Sequence, residues 1–475
     1  MGDVDKIEAN DGATGVLIRA TVGEAIALAI DRHRAGHLAA AEVVYRDVLA
    51  VDGNQPDALH FLGVLRHQAG RGEAALELIR RAIAICPTYA DAYNNLGNVC
   101  QTMGDLEQAR RAYERVIELN PNHAGAHNNL GVVLKDLGQS DAALAAYEKA
   151  RALDPDNVDV YLNLGNTYRQ QRQFLLAVQC FRKAIALKPY HAEAYRALAA
   201  TLYVMKEYEE AKALLRQWLE FEPDNAHARH LLAAHTGEGV PQRASDAYVR
   251  ETFDGFALSY DKVLHGIDYR APQLVAEALA VAVPSGSGPL AVLDAGCGTG
   301  LCASVLRPLA ATLTGVDLSS GMLALARNRS LYDELSEAEL TAYLADAART
   351  FDLIVSADTL VYFGRLDDVF AGAMASLRPG GAFVFTVERA PDEATPQSET
   401  PASAVMPDFQ LGPHGRYSHS AAYIERALRS SGLSLERMVV APLRKELHEE
   451  VAGLVVTARK PSAGDTADAT APRQL

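Results

Sequence analysis

Residues 290–300 read LAVLDAGCGTG, and the fold of half the chain turns on them. Leu290 to Leu293 form a short apolar run of the kind a buried strand shows. Asp294 ends the run, and Gly296, Gly298 and Gly300 follow it closely. Glycine permits a tight turn and lets a ligand approach the backbone. A helix opening after the turn presents free N–H groups to a carboxylate or phosphate. A glycine-rich turn alone discriminates poorly, because residues 298–303, GTGLCA, also satisfy a loose GxGxxA dinucleotide pattern.

The flanking sequence narrows the choice. PLAVLD, TLTGVD, FDLIVSAD, GAFVFTVE and GLVVTAR read as strands separated by helical stretches. That alternation predicts an open α/β sheet, with ligands bound beyond the carboxyl ends of its strands. Asp294 would repel a pyrophosphate at the turn and attract a ligand bearing an ammonium group. Asp317 ends the second strand, where one carboxylate can accept both hydroxyls of a ribose. Residues 351–364, FDLIVSADTLVYFG, mark a fourth strand and its loop.

The combination of DAGCGTG, GVDLS and FDLIVSADTLVYF resembles the class I S-adenosylmethionine-dependent methyltransferases, over about residues 247–460. The resemblance implies a Rossmann-like α/β domain that binds S-adenosyl-L-methionine, releases S-adenosyl-L-homocysteine and needs no metal. It implies that Asp294, Gly296, Cys297, Gly298 and Gly300 wrap the methionine portion. Asp317 would hold the ribose, with Leu318 and Met322 beside ribose and adenine. Ala357 and Asp358 would close the site from the fourth strand. An acid near the end of the third strand accepts the adenine amine in such enzymes, and Glu339 and Asp346 are the candidates. Asp346 lies six residues before Asp352 and Glu339 thirteen, so Glu339, with Leu340, leaves room for the connection. Tyr260 and Tyr269 either cover the cofactor or serve as core aromatics.

The methyl group of a sulfonium is already activated, so positioning the acceptor supplies much of the acceleration. A base helps only where the acceptor must lose a proton. Residues 390–413 are rich in Pro, Ser and Thr, as suits a mobile lid, and lead into GPHGRYSHSAAYIERAL. His414, Arg416, Tyr417 and His419 cluster there. His419 is the candidate base, with Tyr417 and Arg416 orienting the acceptor. The competing reading is a capped helix start with solvated histidines.

The N-terminal half is periodic. Leu28, Leu62, Leu96, Leu130, Leu164, Leu198 and Leu232 stand 34 residues apart, each followed by Ala or Gly. Ala41, Ala75, Ala109, Ala143, Ala177 and Ala211 repeat likewise, with Tyr45, Ile79, Tyr113, Tyr147, Phe181 and Leu215 four residues on. Small residues let two helices approach, and the bulky side chain on the same face fills the groove. Pro87, Pro121, Pro155, Pro189 and Pro223 punctuate the units. The pattern resembles the tetratricopeptide repeat, which implies an all-α solenoid over residues 22–235, about six repeats and a capping helix.

That resemblance also places Asn95, Asn98, Asn129, Asn163 and Asn166 on the concave side, where their amides can bind a peptide backbone of any sequence. A solvated face and self-association are the competing readings, so a homo-oligomer stays open. Residues 1–21 are read as an N-terminal extension, 236–246 (TGEGVPQRASD) as a linker and 461–475 as a disordered tail.

Composition bounds the partners. Sixty acidic residues against 45 basic ones give a formal charge of −15, which disfavours nucleic acid. There is no apolar run long enough for a membrane span and no secretory signal, and the five scattered cysteines fit a reducing compartment, so a cytoplasmic protein is expected. The leading expectation is a methyltransferase whose repeats recruit a peptide or protein acceptor. The alternatives are a small-metabolite methyltransferase with the repeats serving oligomerisation or complex assembly, and a non-catalytic scaffold that binds the cofactor.

Overall fold

The computed structural model describes residues 6–10, 17–284, 286–346, 349–390, 407–446 and 449–462. Most of the expected lid and the tail beyond 462 lie outside them. The chain divides into two compact units, Met1–Thr201 and Leu202–Leu475. The division falls inside the stretch expected to be one solenoid.

In the first unit an antiparallel pair, β1 (Lys6–Asn10) and β2 (Leu17–Thr21), precedes the helices. These are α1 (Val22–Arg34), α2 (Leu38–Val51), α3 (Pro56–Gln68), α4 (Gly72–Ile85), α5 (Ala90–Thr102), α6 (Leu106–Leu119), α7 (Ala124–Asp136), α8 (Ser140–Leu153), α9 (Val158–Gln170), α10 (Phe174–Leu187) and α11 (Ala192–Val204), which crosses into the second unit. Thr21 starts α1 with a capping box: its hydroxyl accepts from the Glu24 amide, and its own amide donates to Glu24. The repeated small residues set the helix spacing within each pair. A Cβ on Gly97 would lie 2.5 Å from the Tyr113 ring, one on Gly131 2.6 Å from Tyr147, and one on Gly165 2.5 Å from Phe181. Those three rings are fully buried. The turns carry a further 34-residue period, with positive φ at Gly36, Gly70, Gly104, Gly138, Arg172 and Lys206.

The second unit continues with α12 (Tyr208–Phe221), α13 (Ala226–Thr236), α14 (Asp246–Gly266) and α15 (Ala271–Ala282). Its strands are β3 (Leu290–Ala295), β4 (Ala310–Asp317), β5 (Glu334–Glu337), β6 (Phe351–Ser356), β7 (Leu377–Arg389), β8 (Phe409–Leu411), β9 (Tyr417–His419), β10 (Ser434–Glu446) and β11 (Glu449–Arg459). The main order is β10-β11-β7-β6-β3-β4-β5; β3 to β7 run parallel, while β11 is antiparallel to both β7 and β10. Both faces of the sheet are buried. Leu293 and Ile354 join one core with Phe370 and Phe383, while Val292, Leu353 and Val355 join the other with Leu274 and Leu306. Burial on both faces explains the unbroken apolar runs of these strands.

Residues 236–246 are more closely engaged than a linker requires. The Ala244 amide donates to the Tyr362 carbonyl at 2.8 Å, and the Gly364 and Arg365 amides donate to the Gln242 carbonyl at 2.8 and 2.9 Å. On α13, His230 Nε2 bonds the Gly415 carbonyl and His227 bonds Glu251 and Thr252. The helix expected to cap the repeats is thus packed into the second unit.

Candidate active site

The sheet reverses its winding between β3 and β6, and a cleft of about 720 Å³ opens beyond their carboxyl ends. Tyr260, Gly296, Gly298, Asp317, Leu318, Met322, Glu339, Leu340, Ala357 and Asp358 line it. An adjoining cavity of about 330 Å³ is lined by Asp294, Cys297 and Tyr269 and shares Tyr260, Gly296, Gly298 and Ala357 with the cleft. Gly300 lines neither; its φ is +84° and an added Cβ would meet Tyr332 and Arg329, so it serves the turn.

The carboxylates are held in distinct ways. Asp317 accepts from the Gly298 amide at 2.8 Å and the Ser319 amide at 2.9 Å. Burial raises its pKa while these backbone donors pull it back. Asp294 is 1% exposed and accepts from the Tyr332 hydroxyl at 2.7 Å. Burial pushes the Asp294 carboxyl up to about 7, against that hydrogen bond and with help from the Asp317 charge. Glu339 caps the short helix α16 (Leu340–Leu344) through Oε2, which accepts from the Ala342 amide, whereas its buried Oε1 has no partner among the described residues. Asp346 instead pairs with Arg349 at 3.2 Å on the surface.

Sequence reasoning missed several wall residues. Thr359 donates to the Gly296 carbonyl at 3.1 Å, and a Cβ on Gly296 would fall 2.1 Å from its hydroxyl oxygen. Thr359 lies within the quoted fourth-strand motif, which was its only signal. Arg243, Val249 and Tyr362 also line the cleft. Asp358, at φ +56°, leads into a buried ion cluster. Arg444 Nη1 donates to both Asp358 oxygens at 3.0 and 3.1 Å and its Nε to Glu446 at 2.8 Å; it also bonds Glu388.

The acceptor-side expectation is corrected. His419 is fully buried beside β7 with Nε2 on the Gly364 carbonyl at 3.1 Å, and burial lowers it to about 4. The Tyr417 hydroxyl donates to the Pro241 carbonyl at 2.7 Å. Arg416 donates to Glu388 at 2.6 Å and also bonds Glu446. None of the three lines the cleft, so none is placed to handle an acceptor there. The competing reading was right about the helix start, since Ser420 caps α17 (Ala421–Ser431), and half right about solvated histidines: His414 is exposed, whereas His419 is buried.

In the first unit the asparagines form a ladder among themselves. Asn129 donates to Asn94 at 3.4 Å and Asn163 to Asn128 at 3.0 Å, each across one repeat. The Asn95 amide lies 2.7 Å from His60 Nε2 and Asn98 donates to Asn95, while Asn166 accepts from Arg169. All are half-buried; Asn95, Asn129 and Asn163 tie adjacent repeats together, whereas the Asn98–Asn95 and Arg169–Asn166 bonds lie within one helix.

Helical repeats followed in sequence by a sheet of this order, with a cleft at its reversal point, define the class: a repeat protein joined to a Rossmann-like α/β domain. Comparison with known proteins gives the families. Residues 54–122, 88–156 and 122–189, and by a second model 168–234, match the tetratricopeptide repeat, and residues 292–381 match the methyltransferase domain. The chain therefore carries tetratricopeptide repeats followed by a methyltransferase domain. It is 37% identical over 161 residues to methyltransferase-like protein 27 of Homo sapiens, covering 32% of this chain and 61% of that one. It is 37% identical over 95 residues to the malonyl-[acyl-carrier protein] O-methyltransferase of Enterobacter lignolyticus (strain SCF1), covering 20% and 38%. It thus spans less than two thirds of the length of either relative. Among solved structures, MamA aligns at 28% identity and a TM-score of 0.32, over 34% of this chain and 94% of that one. Among the described residues no helix is long and apolar enough to cross a membrane, and no cluster of three His, Cys, Asp or Glu could hold a metal.

Proposed function

We propose that the chain is a class I methyltransferase that uses S-adenosyl-L-methionine, and that its repeats recruit a peptide or protein acceptor. The observation that carries the first part is the cleft's polar pattern. Asp317, pinned by the Gly298 and Ser319 amides, suits two ribose hydroxyls. The partnerless Oε1 of Glu339 is a buried acceptor that an exocyclic amine would satisfy. A Cβ at Gly298 would meet nothing within 4 Å, so the turn leaves open space above its backbone. Asp294 and the adjoining cavity suit the amino-acid end of the cofactor. The cofactor supplies an activated methyl group; the chain binds it, orients the acceptor and excludes water. The methyltransferase relatives support this reading.

Recruitment is supported by the repeats themselves, which tether a binding surface to the catalytic domain and raise the local acceptor concentration. Calorimetric titration of the full chain with S-adenosyl-L-homocysteine tests the cofactor; no binding refutes it. Labelled S-adenosyl-L-methionine with a cell extract tests recruitment, comparing the full chain with one beginning at Leu202. Equal labelling of the same acceptor by both removes recruitment. The cut falls at 202 because α13 is packed against Glu251, Thr252 and Gly415. The reaction takes place wherever the chain resides, for which a cytoplasmic setting is proposed.

A further inference from the structure

We infer that Arg243 selects the acceptor by its charge: the group that enters the cleft is a carboxylate on an apolar stem. The inference rests on the methyltransferase reading above and adds the chemistry of the acceptor.

Arg243 belongs to the segment that reads as a linker, yet it lines the cleft. It is the one cationic side chain among the described residues lining either cavity. Its backbone is fixed from both sides. Gln242 accepts from the Gly364 and Arg365 amides, Ala244 donates to Tyr362, and Arg243 itself bridges Phe363 in antiparallel fashion. The guanidinium is only half used. Nη1 donates to Asp246 at 2.5 Å and to the Ala244 carbonyl at 3.3 Å. Among the described residues Nε and Nη2 have no hydrogen-bond partner, and together they form the edge that grips a carboxylate with two parallel hydrogen bonds. Asp246 keeps the fork oriented, so little side-chain freedom is lost on binding.

The neighbours define the rest of the acceptor. Ala244, Val249, Phe253, Tyr362 and Phe363 line the cleft beside Arg243 and offer an apolar surface. Asp246, on Nη1, offsets part of the Arg243 charge but does not line the cleft; of the acids that do, Asp317 and Glu339 face the proposed cofactor. The remaining acid, Asp358, is offset by Arg444 and does not repel an entering anion. An apolar stem along these walls would bring its carboxylate to the free edge of Arg243.

The experiment uses the full chain saturated with S-adenosyl-L-homocysteine and three six-carbon probes: hexanoate, hexanamide and hexyl phosphate. Calorimetry should show hexanoate binding at least about tenfold tighter than hexanamide, the margin of a charged hydrogen bond. Arg243→Gln should erase that preference, while affinity for S-adenosyl-L-homocysteine stays within about twofold, since the residue lies outside the nucleoside half of the cleft. Arg243→Lys should keep part of the preference, because charge survives without the fork. Equal binding of acid and amide, binding of neither, or a preference that survives Arg243→Gln overturns the inference. Tighter binding of hexyl phosphate than hexanoate overturns the carboxylate and assigns the site to a phosphate. If the chain binds hexanoate selectively but not S-adenosyl-L-homocysteine, the cofactor reading fails and the Arg243 site stands.

Discussion

Asp294→Asn should stabilise the ligand-free chain at neutral pH and weaken it as a receptor. The Asp294 carboxyl is 1% exposed, and burial moves its pKa from 3.8 to about 7. The folded state therefore holds a proton that the unfolded state releases across that interval. Stability falls with pH wherever the folded state binds more protons, so the wild type weakens from pH 4 to pH 7 through this group. Each pKa step is worth about 1.4 kcal/mol, so the whole interval amounts to about 4 kcal/mol at most. An asparagine has no charge to bury and keeps an oxygen for the Tyr332 hydroxyl. The two chains should match below pH 4, and the variant should gain steadily up to pH 7. Urea unfolding at half-unit pH steps reads the difference. The same variant should bind S-adenosyl-L-homocysteine about tenfold or more weakly, the loss expected when a charged hydrogen bond disappears. Parallel stability curves from pH 4 to pH 8 would refute the argument, since they mean Asp294 is ionised at little cost in the fold.

Arg444→Met removes the cation that Asp358, Glu388 and Glu446 share and should cost about 3–5 kcal/mol at pH 7, as for other broken buried pairs. Glu388 is buried and Glu446 half-buried, but the arginine charges hold both below the ordinary carboxylate value, so their contribution is present above that value and lost as pH falls through the lower one. The gap between wild type and Arg444→Met in urea midpoint should therefore close towards acid pH; a gap that does not vary with pH refutes the ionic account. Gly138→Ala places a side chain in a left-handed turn with no steric neighbour, for about 1–2 kcal/mol of destabilisation. Arg172→Gly, at the equivalent turn with φ 60°, should raise the melting temperature, and a lower one contradicts the strain. Asp317→Asn should weaken S-adenosyl-L-homocysteine about 10- to 100-fold in calorimetry, as loss of a charged acceptor implies. His419→Leu, which has no donor for the Gly364 carbonyl, should lower stability by about 1–3 kcal/mol and leave methyl transfer by the folded protein unchanged; a loss of turnover with S-adenosyl-L-homocysteine affinity intact restores His419 to the site.

Much of the fold was legible because each signal was local. Gly97 beside Tyr113 and Gly131 beside Tyr147 are pairs of one helix hairpin, read from spacing alone. The same holds for the strand-turn motif from Leu290 to Gly300, where the ligand-facing positions are consecutive. The histidine cluster misled because titratable residues close in sequence do not share one environment: His419 points into the core, and Arg416 into the ion cluster. Asparagines at repeat spacing looked free for a peptide, but their spacing also sets one amide beside the next.

From its residues alone the chain declares repeats followed by an α/β domain with a glycine turn and an acid after each of two strands. Periodicity and strand-end chemistry are properties of neighbouring residues, and they survive without coordinates. Tertiary structure decided that the segment 242–244 is a wall of the cleft, that Glu339 keeps one oxygen unsatisfied, and that Asp358 is tied to Arg444, 86 residues away. Those features depend on which distant backbone groups pair and on how deeply a carboxylate is buried, and no local pattern encodes either.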